Sequence, residues 1–174
     1  LGVTYMQQED CVRAIDAFSR ALKNNPKSVE ALAERSTCYQ QQGDYAHAVA
    51  DLNQAITLRP NDPVLYYNRG NTYQLLKDLL KAEADYSYAL ALYDDFAPAY
   101  LNRGIVRTLR KDYQGAISDF GQAIELDPRA SGIEALLYRG RTHFLLNEYA
   151  QAVADFTSYI GFQSDEFEPF YWRG

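Results

Sequence analysis

Apolar residues return along this chain at three- and four-residue steps, the spacing that lays one buried stripe along a helix. Ala14, Phe18, Ala21 and Leu22 make one such stripe, and Ala48, Leu52, Ala55 and Ile56 make another. Ala82, Tyr86 and Ala89, then Ala116, Phe120 and Ala123, then Ala152 and Phe156 keep the same register. A second set alternates with these, through Leu1, Tyr5 and Met6 and then through Leu32 and Tyr39. Breakers stand between them: Asn24-Asn25-Pro26, Gly43, Arg59-Pro60-Asn61-Asp62, Asp94-Asp95 and Pro128. Proline cannot continue a helix, and glycine supplies a left-handed exit. A carboxylate such as Asp44, placed in the first turn of the next helix, meets the positive end of its dipole. No strand-like alternation interrupts the series, so the pattern predicts helices in pairs.

The pairs recur with a nearly fixed period. Tyr66-Tyr67-Asn68-Arg69-Gly70 returns as Leu32-Ala33-Glu34-Arg35-Ser36, Tyr100-Leu101-Asn102-Arg103-Gly104, Leu136-Leu137-Tyr138-Arg139-Gly140 and Phe170-Tyr171-Trp172-Arg173-Gly174. The small residue falls at Gly2, Ser36, Gly70, Gly104, Gly140 and Gly174, giving spacings of 34, 34, 34, 36 and 34. Such a period denotes stacked units sharing a continuous core. The expected organisation is one array over residues 1–174: a partial unit 1–28, full units 29–62, 63–96, 97–132 and 133–166, and the start of another helix at 167–174. Two extra residues, placed at Ser131-Gly132, lengthen one turn and account for the 36. Both ends fall inside a unit and no polar capping unit is visible, so a slice of a longer protein is expected.

These residues resemble the tetratricopeptide repeat (TPR) family across essentially the whole chain. The family motif asks for a large residue four before the small one and an aromatic three after it. It then asks for alanine twelve after, an aromatic sixteen after, alanine nineteen after and proline twenty-four after. Around Gly2 this gives Tyr5, Ala14, Phe18, Ala21 and Pro26; around Ser36 it gives Leu32, Tyr39, Ala48, Leu52, Ala55 and Pro60. Gly70 keeps Tyr66, Tyr73, Ala82, Tyr86 and Ala89, and Gly104 keeps Tyr100, Ala116, Phe120, Ala123 and Pro128. The unit around Gly140 departs furthest, with His143 in an aromatic slot and Tyr159 in an alanine slot. The resemblance implies an all-α fold, a right-handed superhelical solenoid of stacked antiparallel helix pairs. Small residues let the paired helices touch while aromatics fill the gaps between them.

Arginine precedes the small residue in five copies, where the family usually has leucine. That slot faces the second helix, so a guanidinium there needs a partner. Asp51, Asp85, Asp119 and Asp155 each lie sixteen residues after an arginine, whereas the first unit has Leu1 and Ala17 and lacks both charges. The expected structural ion pairs are Arg35–Asp51, Arg69–Asp85, Arg103–Asp119 and Arg139–Asp155, each a guanidinium fork on a carboxylate. The competing reading is solvated surface charge.

Composition narrows the function. With 17 basic and 23 acidic residues the net charge is −6, which argues against a phosphate-tracking surface and so against nucleic acid. Fifteen tyrosines could stack bases, but most occupy packing stripes. No apolar run is long enough for membrane insertion, and no secretory leader is visible. Cys11 and Cys38 form no CxxC pair, and no asparagine begins a glycosylation sequon. The expected compartment is reducing, intracellular and cytoplasmic.

No catalytic, cofactor-binding or metal-ligating set is expected, because no HExxH, CxxC, GxSxG or phosphate-cradling loop occurs. His47 and His143 sit in different units and are expected to be structural imidazoles. The acid pairs Asp94-Asp95 and Asp165-Glu166 are expected in solvated turns between units.

A partner surface is expected on the face of each first helix turned away from its pair, which in the family lines a concave groove. The stripe reads Glu30, Ala33, Thr37, Gln40; Val64, Tyr67, Asn71, Gln74; Pro98, Leu101, Ile105, Thr108; and Glu134, Leu137, Arg141, Phe144, with Glu168 and Tyr171 beginning the next. Tyr67, Leu101, Ile105, Leu137 and Phe144 have no evident partner in their own helix pair, as an exposed binding patch would. Asn68 and Asn102 are candidate rungs for hydrogen bonds to an extended peptide backbone. The carboxylate clamp of chaperone-tail-binding members needs lysine where this chain has Ala33, Tyr67 and Leu101; only Asn71 and Arg141 imitate part of it. The leading expectation is a non-enzymatic scaffold that binds a peptide or helical segment of a partner protein. The alternatives are a non-catalytic arm of a larger enzyme, or an architectural part of a ciliary or other cytoskeletal assembly. A flanking part of the same protein is the competing occupant of the groove.

Overall fold

The computed structural model describes the backbone of residues 10–171 and the side chains of residues 10–162. The expectations at Leu1, Gly2, Tyr5 and Met6, and those for the side chains of Glu168, Tyr171 and Arg173, lie outside them. The described residues form helices throughout: α1 (Cys11–Asn24), α2 (Val29–Gln41), α3 (Tyr45–Leu58), α4 (Pro63–Leu75), α5 (Leu79–Leu92), α6 (Ala97–Leu109), α7 (Tyr113–Leu126), α8 (Ser131–Leu145) and α9 (Tyr149–Tyr171). The chain divides into two compact units, residues 1–93 and 94–174. In the first, α1 packs on α2, α2 on α3, α3 on α4 and α4 on α5; in the second, α6 packs on α7, α7 on α8 and α8 on α9, with α6 also against α8. Each unit is a set of helix pairs packed in chain order.

Local chemistry sets the helix starts. Asp10, Asp44, Asp78 and Asp112 are N-caps rather than first-turn residues, each accepting a hydrogen bond from the backbone N–H three residues on. Ser28 caps α2 in the same manner, and Asp62 caps α4 by accepting from Val64 N, two residues on. The chain reverses between paired helices through one residue at positive φ: Gly43 (76°), Lys77 (62°), Lys111 (67°) and Asn147 (61°). Only Gly43 takes that backbone without steric cost.

The close approach within each pair explains the small residue. A Cβ on Gly70 would stand 2.7 Å from Tyr86 Cε1, and one on Gly104 would stand 2.6 Å from Phe120 Cε1. Ser36 is tolerated where the residue sixteen on is Leu52 instead of a ring, and both are fully buried.

Two boundaries differ from the sequence expectation. Ser131 and Gly132 do not lengthen a turn; they form the first turn of α8, which has 15 residues against 13 in α2, α4 and α6. Asp127 makes this possible, its carboxylate accepting from the N–H groups of Ala130 (3.1 Å) and Ser131 (3.0 Å) while its carbonyl accepts from Gly132 N (2.7 Å). Likewise α9 runs unbroken through Tyr171, so no new helix starts at residue 167 and Asp165-Glu166 lie in helix rather than in a turn. Ser164 stands where three earlier units have the closing proline, although Asp94 holds that slot in a unit whose helix still ends at Leu92.

Candidate interaction surface and the ion pairs beneath it

Each described arginine of the recurrent pentapeptide meets its aspartate side-on, through Nε and Nη2. Arg35 Nε and Nη2 donate to the two carboxylate oxygens of Asp51, both at 2.7 Å, and Arg69 holds Asp85 with the same distances. Arg103 donates to Asp119 at 2.9 and 2.7 Å, and Arg139 to Asp155 at 2.9 and 2.7 Å. The aspartates are buried, and the guanidinium fork is what makes a charge tolerable there. The hydrogen bonds that Arg35 and Arg69 donate to Asp51 and Asp85 raise their pKa above the ordinary value. The arginines also reach back one helix: Arg35 Nη1 donates to Ser19 Oγ (2.9 Å) and Arg69 Nη1 to Asn53 Oδ1 (2.7 Å). This backward link was not anticipated, although Ser19 and Asn53 stand 34 apart, each sixteen before its arginine.

Arg107 and His143 stand where Tyr39 and Tyr73 stand in the first unit, and both turn to the same buried acids. Arg107 Nη1 donates to Asp119 (2.9 Å), and His143 Nε2 lies 3.9 Å from Asp155 while its Nδ1 is 2.6 Å from Glu148. His143 is half-buried, whereas His47 is exposed, its Nδ1 2.6 Å from Asp44 and its ring stacked on Tyr39 at 5.1 Å.

The candidate partner residues divide by burial. Leu101 is corrected: it is 6% exposed and belongs to the core with Ala116, Phe120, Ala123 and Ala135, against which Ile105 also packs. Tyr67 has a partner in its own helix pair, its ring centroid 5.9 Å from that of Tyr86. The Tyr86 hydroxyl lies 2.8 Å from Asn71 Oδ1 and 2.7 Å from Gln74 Oε1, so Asn71 braces a buried phenol. A phenol carries one proton, so one of these amides turns its NH2 toward it. Asn68 and Asn102 are half-buried on α4 and α6. The Asn68 carbonyl accepts from Gln40 Nε2 (3.1 Å), which ties α2 to α4.

In the second unit the Thr108 and Thr142 hydroxyls, 3.1 Å apart, tie α6 to α8. Half-buried Ile105 and Leu137 lie on these helices with Arg141 and Phe144, which are exposed. Phe144 is 59% exposed and meets Tyr149 edge-on at 5.5 Å, and the Arg141 guanidinium lies 5.8 Å from the Tyr138 ring.

Among the described residues no group of three or more His, Cys, Asp or Glu could hold a metal ion, and no helix is long and apolar enough to cross a membrane. Cys11 and Cys38 are buried free thiols, and burial pushes Cys38 up to about 12.

Four family models described as tetratricopeptide repeat match the chain, at residues 1–66, 52–84, 97–129 and 134–161. No curated protein sequence matches it. Among solved structures, one described as MamA is 23% identical, with 97% of each chain covered and a TM-score of 0.88. YrrB, described as a TPR protein with an unusual peptide-binding site, is 19% identical over 95% of this chain and 84% of its own, with a TM-score of 0.77. The first TPR of Spaghetti (RPAP3), bound to the HSP90 peptide SRMEEVD, is 29% identical over 68% of this chain and 93% of its own, with a TM-score of 0.66.

Proposed function

The chain belongs to the tetratricopeptide repeat family, and on that premise we propose that it is a non-catalytic scaffold holding a segment of another protein. The seat is the α6/α8 face of the second unit. Ile105, Leu137 and Phe144 supply apolar surface, and Arg141 supplies one exposed cation. The observation that carries the reading is the exposure of Phe144 on the same helical face as Leu137 and Arg141, at steps of four and three residues. Such spacing suits a helical or extended segment that offers apolar residues and an acidic one. Two structural relatives are described by their peptide site or bound peptide, which supports a polypeptide occupant. The HSP90-type tail is a poor fit, because Ala33, Tyr67 and Leu101 stand in the lysine slots and Asn71 is engaged by Tyr86.

A displayed peptide library panned on the chain is the test. Enrichment of peptides pairing apolar with acidic residues, lost with Phe144→Glu and weakened with Arg141→Glu at unchanged helicity, supports the reading. Enriched peptides that bind both variants undiminished place the site elsewhere.

A further inference from the structure

A cavity of about 340 Å³ opens among α1, α2 and α3 of the first unit, with Leu22, Pro26 and Leu32 as apolar lining and Lys23, Arg35 and Gln54 as polar lining. Moving 34 residues along the chain shows what fills the matching space in the next repeat. There Leu32 becomes Tyr66 and Gln54 becomes Tyr88, whose rings pack at 4.4 Å. The Tyr66 hydroxyl donates to Pro60 O (3.0 Å), and the Arg69 guanidinium lies 5.6 Å from the Tyr66 ring. One unit earlier the arginine and the proline remain, as Arg35 and Pro26, but the rings are missing. Gln54 merely bridges to Pro26 O (3.0 Å).

The charge at the mouth differs as well. Arg35 spends three of its five N–H donors on Asp51 and Ser19. Lys23, replaced by Thr57 one unit on, makes no ion pair among the described residues. Leu32 and Arg35 lie on the face of α2 opposite Thr37 and Gln40, so this site is separate from the inner stripe.

We propose that the cavity binds a small free aromatic carboxylate. The ring takes the volume that Tyr66 and Tyr88 fill in the following unit, with Arg35 toward it as Arg69 is toward Tyr66. The carboxylate meets Lys23, and no covalent step is involved.

The probe is phenylacetate, titrated into the whole 15N-labelled chain. Expected are saturable amide shifts at Leu22, Leu32 and Gln54 with a Kd on the order of 1 mM. Benzylamine, a similar ring with opposite charge, leaves those amides unmoved. Gln54→Tyr, and the double change Leu32→Tyr with Gln54→Tyr, remove the response by rebuilding the Tyr66/Tyr88 filling. Lys23→Glu, on an exposed position that does not threaten folding, weakens binding about threefold or more. Phe144→Glu has no effect, so this proposal and the scaffold reading fail separately. Shifts that never saturate, equal binding of benzylamine, or undiminished binding by Gln54→Tyr and Lys23→Glu overturn it.

Discussion

Arg107 Nη1 stands 2.9 Å from Asp119 Oδ2, so a carboxylate already gripped by Arg103 carries a second guanidinium. Asp119 is 2% exposed, the deepest acid of the ion-pair series. Removing it takes from Arg103 and Arg107 the buried carboxylate they share, whereas removing all three charges leaves no buried ion to solvate. Asp119→Ala is therefore expected to cost about 3–5 kcal/mol in urea unfolding, and Arg103→Met, Arg107→Met and Asp119→Leu combined to cost less. Equal losses would mean the charges contribute nothing beyond their volume.

Gly104 and Phe120 are in direct contact, so a methyl group on the glycine must displace the ring. Gly104→Ala is expected to destabilise by about 1–3 kcal/mol despite its better helix propensity. Tyr86→Ala, which empties a fully buried site and removes the hydroxyl that Asn71 and Gln74 contact, is expected to cost about 3–5 kcal/mol. Thermal melts of the two variants check both.

Lys77 and Lys111 hold the left-handed backbone that Gly43 holds without strain. Lys77→Gly and Lys111→Gly are each expected to stabilise by about 0.5–1 kcal/mol, the relief of strain exceeding the entropy added to the unfolded chain. A lower melting temperature in both variants would count against that balance.

Acid acts on the helix starts. The His47 side chain lowers the Asp44 pKa, Lys81 does so for Asp78, and the N–H groups of Ser131 and Ala130 do so for Asp127. A depressed carboxyl contributes stability above its unfolded value of 3.8 and loses it as pH falls through the folded value. The melting temperature is expected to fall as pH drops below about 4, and the fall is expected to be smaller in Asp127→Asn.

Alkali acts on Cys38. Burial holds its folded pKa at about 12 against 9.0 when free, so its stabilisation is complete below 9.0 and is lost as pH rises toward 12. The thiol is expected to resist a soluble disulfide reagent at pH 8 until the chain is denatured, while Cys38→Ser flattens the alkaline limb of the stability curve.

How far the sequence could be read depended on whether an interaction repeats. Phe120 against Gly104 recurs as Tyr86 against Gly70, and the step from Arg35 to Asp51 recurs down the chain, so a periodic reading reaches such contacts. Leu101 shows the limit. Its slot lies on the outward stripe by helical position, yet neighbouring side chains of α7 and α8 close over it. Burial there is set by the size of residues far away in the chain, which periodicity does not encode.

By itself the sequence determined the helix pairs and their stacking in chain order, because small residues, alanines and rings recur at intervals that only paired helices bring together. Tertiary structure alone decided which of the outward residues stay exposed, and that Arg107 shares Asp119. It also decided that Ser131 and Gly132 extend a helix, and that Leu32 and Gln54 leave a cavity. Each of these turns on the volume and the hydrogen-bonding reach of groups distant in sequence, and neither quantity is carried by the pattern of one chain.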